Sequence, residues 1–106
     1  MRRAEVQVHG VRAGVLEEIE RGRAYRFEYD LDYQGPPVSL TMPVERQQHP
    51  FDGFPSFFDG LLPEGAQLAA LLRLRKLDRN DHFGQLVVVG QDLVGAVTVR
   101  PLGVDE

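Results

Sequence analysis

Three histidines and three spaced carboxylates are the residues of this 106-residue chain whose types could do chemistry. His9, His49 and His82 are too scattered for a metal triad, because no two have the short spacing of ligands on one helix or turn. Each reads as a surface or capping histidine. Asp52, Asp59 and Glu64 could act as paired carboxylates in acid/base work. Asp59 and Glu64 have a simpler role at helix starts, where negative charge meets the positive end of the helix dipole. Gly60, Gly65, Gly84, Gly90 and Gly95 never cluster into a phosphate cradle, and no GxxxxGK[ST], HExxH or GxSxG motif occurs. Zero cysteines exclude disulfides, thiolate catalysis and cysteine-ligated metal. The residues therefore predict no catalytic, cofactor or metal site, and an interaction module in preference to an enzyme.

Charge and composition narrow the partners. The 12 Lys+Arg against 16 Asp+Glu leave a net charge of -4, which argues against nonspecific nucleic-acid binding. There is no tryptophan and no aromatic–basic alternation on which single-stranded bases would stack. A 42% hydrophobic, 26% charged composition is that of a folded globular chain. No apolar run approaches the ~18 residues of a membrane span, and no basic-then-apolar leader opens the sequence. The expected compartment is the cytoplasm. The length suits one domain, expected over 1–102 with 103–106 as a tail.

The elements that would position these residues fall into two halves. The first reads as strands. Glu5–Val8 alternates polar and apolar; a second run starts at Val15-Leu16 and ends at Arg21-Gly22. Tyr25–Asp30 sets three aromatics on one face and charges on the other, the period-two pattern of a half-buried antiparallel strand. After the break at Gly35-Pro36-Pro37, the residues Val38, Leu40 and Met42 read as a fourth strand ended by Pro43. Residues 44–56 are dense in turn formers and read as irregular, with Phe51 and Phe54 either tucked onto the core or offered to a partner.

The second half reads as helices. Ser56 is placed to cap a helix over 57–62, halted by Pro63. Leu68, Leu71 and Leu72 form an i, i+3, i+4 stripe on a helix over 66–76, with Arg73, Arg75 and Lys76 complementing its negative end. Asp78 or Asn80 can cap a third helix over 81–89, and Gly90 fits a left-handed stop. A last strand is expected over Leu93–Val99. The expected core comprises Val6, Val8, Leu16, Tyr25, Phe27, Tyr29, Val38, Leu40, Phe58, Leu61, Leu68, Leu71, Leu72, Phe83, Leu86, Val87, Val97 and Val99. The fold class is α+β: a curved, barrel-like antiparallel β-sheet with about three short helices packed against it.

Three motifs then stand in register. Phe57-Phe58-Asp59-Gly60-Leu61-Leu62-Pro63-Glu64-Gly65 resembles the FFDxLLPEG motif of HipA-type proteins. Asp81–Leu86 and Val89–Val99 resemble that family's next two stretches, in the same order, and Leu40-Thr41-Met42-Pro43 resembles a strand end of its first subdomain. The resemblance covers nearly the whole chain. In HipA-type serine/threonine kinases this subdomain precedes a larger region carrying the ATP-binding lysine and the catalytic and metal-binding aspartates, so the resemblance implies no kinase activity here. A free-standing copy resembles the HipS antitoxins of HipBST toxin–antitoxin systems. That implies docking on, and inhibition of, a HipT-like kinase, with a HipB-like helix-turn-helix protein as a further partner. Where HipS relatives place a tryptophan after the P-E-G turn, this chain has Ala66-Gln67. The contact residues implied are Phe51, Phe54, Leu62, Pro63, Glu64, Gly65, Ala66 and Gln67. Two other functions remain open: a non-inhibitory subunit completing a split HipA-type kinase, and a small enzyme built on Asp52, Asp59 and Glu64.

Overall fold

Alternating side chains bring the first three strands together. In a computed structural model that describes residues 2–93 and 95–102, β1 (Arg3–Val8) turns Ala4, Val6 and Val8 to one buried face. β2 (Val11–Glu20) sets Leu16 opposite Ala4 on that face, and β3 (Ala24–Tyr29) adds Tyr25, Phe27 and Tyr29, as the period-two pattern predicts. With β4 (Gln48–Asp52) and β5 (Val97–Pro101) they form one antiparallel sheet in the order β4-β3-β2-β1-β5.

The sheet is open, so the expected barrel does not close. Its two edges are blunted instead of paired with each other. Flanking β4, Gln47 O accepts from Tyr29 N–H and Gly53 N–H donates to Arg23 O, and the intervening Pro50, without an N–H, is exposed on the outer side. On β5, Val99 N–H is taken by Gly90 O at 2.9 Å, and Pro101 has no N–H to offer. Gly90 is right-handed (φ -60), not the left-handed stop expected. Its lack of a side chain serves close approach, since a Cβ there would collide with the Val99 carbonyl.

The fourth strand lies elsewhere than expected. Residues 38–42 form no strand; Met42 N–H closes a turn onto Ser39 O, and Leu40 stands 94% exposed. Val38 and Met42 are buried because the loop folds back on Tyr29, whose hydroxyl accepts from Val38 N–H and donates to Met42 O. β4 arises inside the stretch expected to be irregular. Its inward residues His49 and Phe51 lie opposite Phe27 and Tyr25, so His49 is buried and not a surface histidine.

Three helices follow β4. α1 (Ser56–Asp59) is a single turn, shorter than 57–62, whose N-cap is Pro55 and not Ser56. It buries Phe58 against Phe27. α2 (Gly65–Arg75) ends at Lys76, a left-handed residue whose N–H reaches Leu72 O. α3 (His82–Val89) buries Phe83, Gln85 and Leu86 and is capped by Asp81, not by Asp78 or Asn80. β5 begins at Val97, later than the expected Leu93; Val94 and the expected tail 103–106 lie outside the described residues.

The core is the sheet's inner face, α1 and α3, with Ala4, Ala13, Tyr33 and Met42 added to the expected set. Leu61, Val87 and Val97 pack partly buried against it. α2 departs most from expectation. Leu68, Leu71 and Leu72 are half-buried and pack outside the core cluster, and no residue of the helix is buried. Among the described residues, no helix is long and apolar enough to cross a membrane.

Candidate partner interface

The outer face of the sheet is closed on itself by charge. Glu5, buried in its centre, accepts from Gln7 Nε2 at 2.6 Å and from Arg100 Nη2 at 3.1 Å. Arg12 bonds Asp30 at 2.9 Å and Arg26 bonds Glu17 at 2.6 Å. Burial opposes the charge on Glu5, but Gln7 and Arg100 outweigh it and hold its carboxyl below the usual range. This face is a ladder of paired charges, in which Arg26 Nε is left buried without a hydrogen-bond partner among the described residues.

The opposite end of the molecule is built differently. Leu62, Pro63 and Glu64 leave α1 in a turn, and Gly65 enters α2 at φ +59, a conformation costly for any residue with a Cβ. Glu64, Gly65, Ala66 and Gln67 are exposed; Leu62 and Pro63 are half-buried. Across from them runs the 78–82 segment. The two sides enclose a shallow groove of about 220 Å³ whose lining includes Leu62, Pro63, Glu64, Leu68, Arg79 and His82.

The groove's far wall is held rigidly. Gln85, buried in α3, donates from Nε2 to the carbonyls of Asp78 and Arg79 at 3.1 and 3.0 Å. Asp81 accepts from Gly84 N–H at 3.0 Å, satisfying one of the orphan donors at the start of α3. Arg2 then clamps Asp81 to the sheet. Its guanidinium donates to both Glu18 oxygens at 2.7 and 2.9 Å and to both Asp81 oxygens at 2.8 and 3.2 Å. It also lies 5.0 Å from the Phe83 ring centre, within cation–π range.

These bonds set the local electrostatics. Burial alone would raise the Glu18 and Asp81 carboxyls; bonds from Arg2, Gly22 N–H and Gly84 N–H more than offset it, and both are held below the ordinary carboxylate range. Burial, with the Glu18 carboxylate 3.3 Å from its hydroxyl, pushes Tyr25 up to about 12. An open groove of about 230 Å³ lies over this clasp, lined by Arg2, Glu18, Arg21, Tyr25, Asp78 and Asp81 among others. Within it Arg2, Glu18 and Asp81 answer one another, as a fastening does. The clasp joins residues 16 and 79 positions apart in sequence, so no spacing rule could have located it.

Of the contact residues implied by resemblance, Leu62, Pro63 and Glu64 lie on the turn after α1, and Gly65, Ala66 and Gln67 follow directly as the start of α2. Phe51 and Phe54 turn inward. Phe51 packs partly buried against the core, and Phe54 sits edge-on to Tyr25 at 5.3 Å and tilted against His82 at 5.5 Å. Asp52, Asp59 and Glu64 are all exposed. Among the described residues no group of three or more His, Asp or Glu could hold a metal ion.

The family model described as the HipA N-terminal domain matches residues 4–100. An uncharacterized protein of Haemophilus influenzae is 33% identical over 100 residues, covering 94% of this chain and 92% of that protein. A Sinorhizobium fredii protein named "Putative kinase Y4dM" is 30% identical over 111 residues, covering 92% of this chain but 26% of the longer protein. Among solved structures, the N-terminal domain of HipA toxin superposes with a TM-score of 0.70 at 30% identity, covering 99% of this chain and 96% of that one.

Proposed function

The chain belongs to the HipA N-terminal domain family, and from that premise we propose that it is a non-catalytic antitoxin of a toxin–antitoxin system, a single domain over 1–102 that binds and inhibits a HipT-like serine/threonine kinase in the cytoplasm. The observation that carries the reading is the mismatch between two halves of one small fold. The sheet, α1 and α3 close a dense core, while no residue of α2 is buried and Glu64, Gly65, Ala66 and Gln67 stand exposed. A surface left open in this way suits a partner better than a substrate.

Two further findings support it. The Haemophilus influenzae relative is nearly the same length, so this family includes proteins with little beyond the one domain. The blunted edges of β4 and β5 disfavour strand addition as a binding mode and leave side-chain docking by turn and helix. Inhibition would be steric or positional: a rigid body beside the nucleotide cleft, holding the kinase lobes in an unproductive arrangement. A HipB-like DNA-binding protein would complete the complex. No cofactor enters this account.

A second reading has its own support. In the Sinorhizobium fredii relative the same domain is one quarter of a longer chain, which fits a subunit that completes a kinase without inhibiting it. Co-purification with a HipA-type kinase lacking this domain tests both. The first reading expects a stable complex with a kinase that folds and works alone. A kinase that is unstable alone and active only in the complex selects the second, and no complex at all rejects both.

A further inference from the structure

α2 carries four leucines and three alanines among eleven residues, yet has the exposure of a surface helix. Beyond the Leu68, Leu71 and Leu72 stripe it carries Ala66, Ala69, Ala70 and Leu74 on its other sides, with Gln67, Arg73 and Arg75 between them. Here none of its residues is buried, and Leu74 is 75% exposed. Leu68, Leu71 and Leu72 are half-buried, but Leu74 stays in water unless a partner covers it.

Charge says what. No acidic residue occurs from Gly65 to Leu77, whereas Arg73, Arg75, Lys76 and then Arg79 crowd the end of the helix in a chain of net charge -4. Among the described residues none of these four cations has an ion-pair partner. A second copy docking through the same helix would bring the same excess of cations to the seam, four against the two carboxylates, Asp59 and Glu64, at the other end of the helix. A uniformly anionic membrane would meet Asp59, Glu64 and Asp78 beside the same helix.

We propose that α2 and the adjoining groove at Leu62 and Leu68 form the docking surface for a protein patch that is apolar at its centre and rimmed by carboxylates, carried by the kinase partner. This rests on the function proposed above and adds which face is used and what chemistry meets it. The geometry is that of an apolar helix laid into a partner's groove, with Leu74 as its most exposed anchor. The arginines at the rim set orientation and on-rate.

The probe is a HipA-type kinase from the same organism, produced without its own N-terminal domain, and the readout is Kd by titration calorimetry. Leu74→Glu weakens binding at least tenfold. The pair Arg73→Glu and Arg75→Glu weakens it and flattens its salt dependence, while Leu40→Glu on the exposed 39–42 turn leaves it unchanged. All three proteins melt as the wild type does, because each altered side chain is exposed. Wild-type affinity retained in both α2 variants overturns this assignment while leaving the proposed function intact. A wild-type chain that binds no such kinase overturns the proposed function as well. A symmetric dimer lost on Leu74→Glu, or binding to phosphatidylserine but not phosphatidylcholine vesicles that is lost on Leu74→Glu, overturns the choice of occupant.

Discussion

Single side chains divide sharply by what surrounds them. Phe83 stacks on Tyr25 and under Arg2 within the core, so Phe83→Ala is expected to cost about 3–5 kcal/mol in chemical denaturation. Leu71, on the uncovered helix, is expected to cost under about 1.5 kcal/mol when cut to alanine, since little cavity forms. Tyr29→Phe removes the hydroxyl that ties the 30–47 loop at Val38 and Met42 and is expected to cost about 1–2 kcal/mol, read by the same melts. Arg2 gives a pH signature. Glu18 and Asp81 have carboxyls depressed in the folded state, so their contribution is fully present above the unfolded carboxylate range. It fades as pH falls from about 5 through the lower folded values. Arg2→Ala should destabilise near pH 7 by about 2 kcal/mol and flatten that acid limb. An unchanged limb would mean the clasp does not couple to folding. None of these pairings was readable beforehand, because long-range ion pairs leave no local pattern.

At the scale of elements, legibility followed periodicity. β1 and β3 were plain because one face alternates apolar without interruption, and α3 because Phe83, Leu86 and Val87 keep helical spacing beside a cap. β4 was hidden by Pro50, which reads as a breaker yet is tolerated on an edge strand. Residues 38–42 misled in the opposite direction: Val38 and Met42 alternate, but a turn centred on Leu40 and Thr41 produces the same spacing. α2 was placed within a residue at each end, yet its leucines suggested a core that does not exist around it. Composition shows how apolar a helix is, not whether its cover lies in the same chain. Hydrogen exchange in the isolated protein should therefore show α2 amides exchanging well before those of β1, β2 and β3. Gly90→Ala tests the other junction. The added methyl meets the Val99 carbonyl, so α3 and β5 separate and stability falls by about 2 kcal/mol or more, with β5 amides losing protection first.

For the molecule as a whole, the family motif fixed more than any residue count could. The 57–65 stretch and the two segments after it pointed to the HipA N-terminal domain, and the family and structural matches place the chain there. The candidate contact turn was legible only through that resemblance, and the uncovered helix beside it only through the structure. The molecule that results is a closed core beside a helix with no buried residue. Its proposed action needs no reacting group of its own, only occupation of a kinase. The rate of phosphoryl transfer by a HipA-type kinase without this domain, measured as the chain is titrated in, tests this most directly. The account predicts a fall that levels off at one chain per kinase. A rate that stays constant, or rises, once the complex is saturated would contradict it.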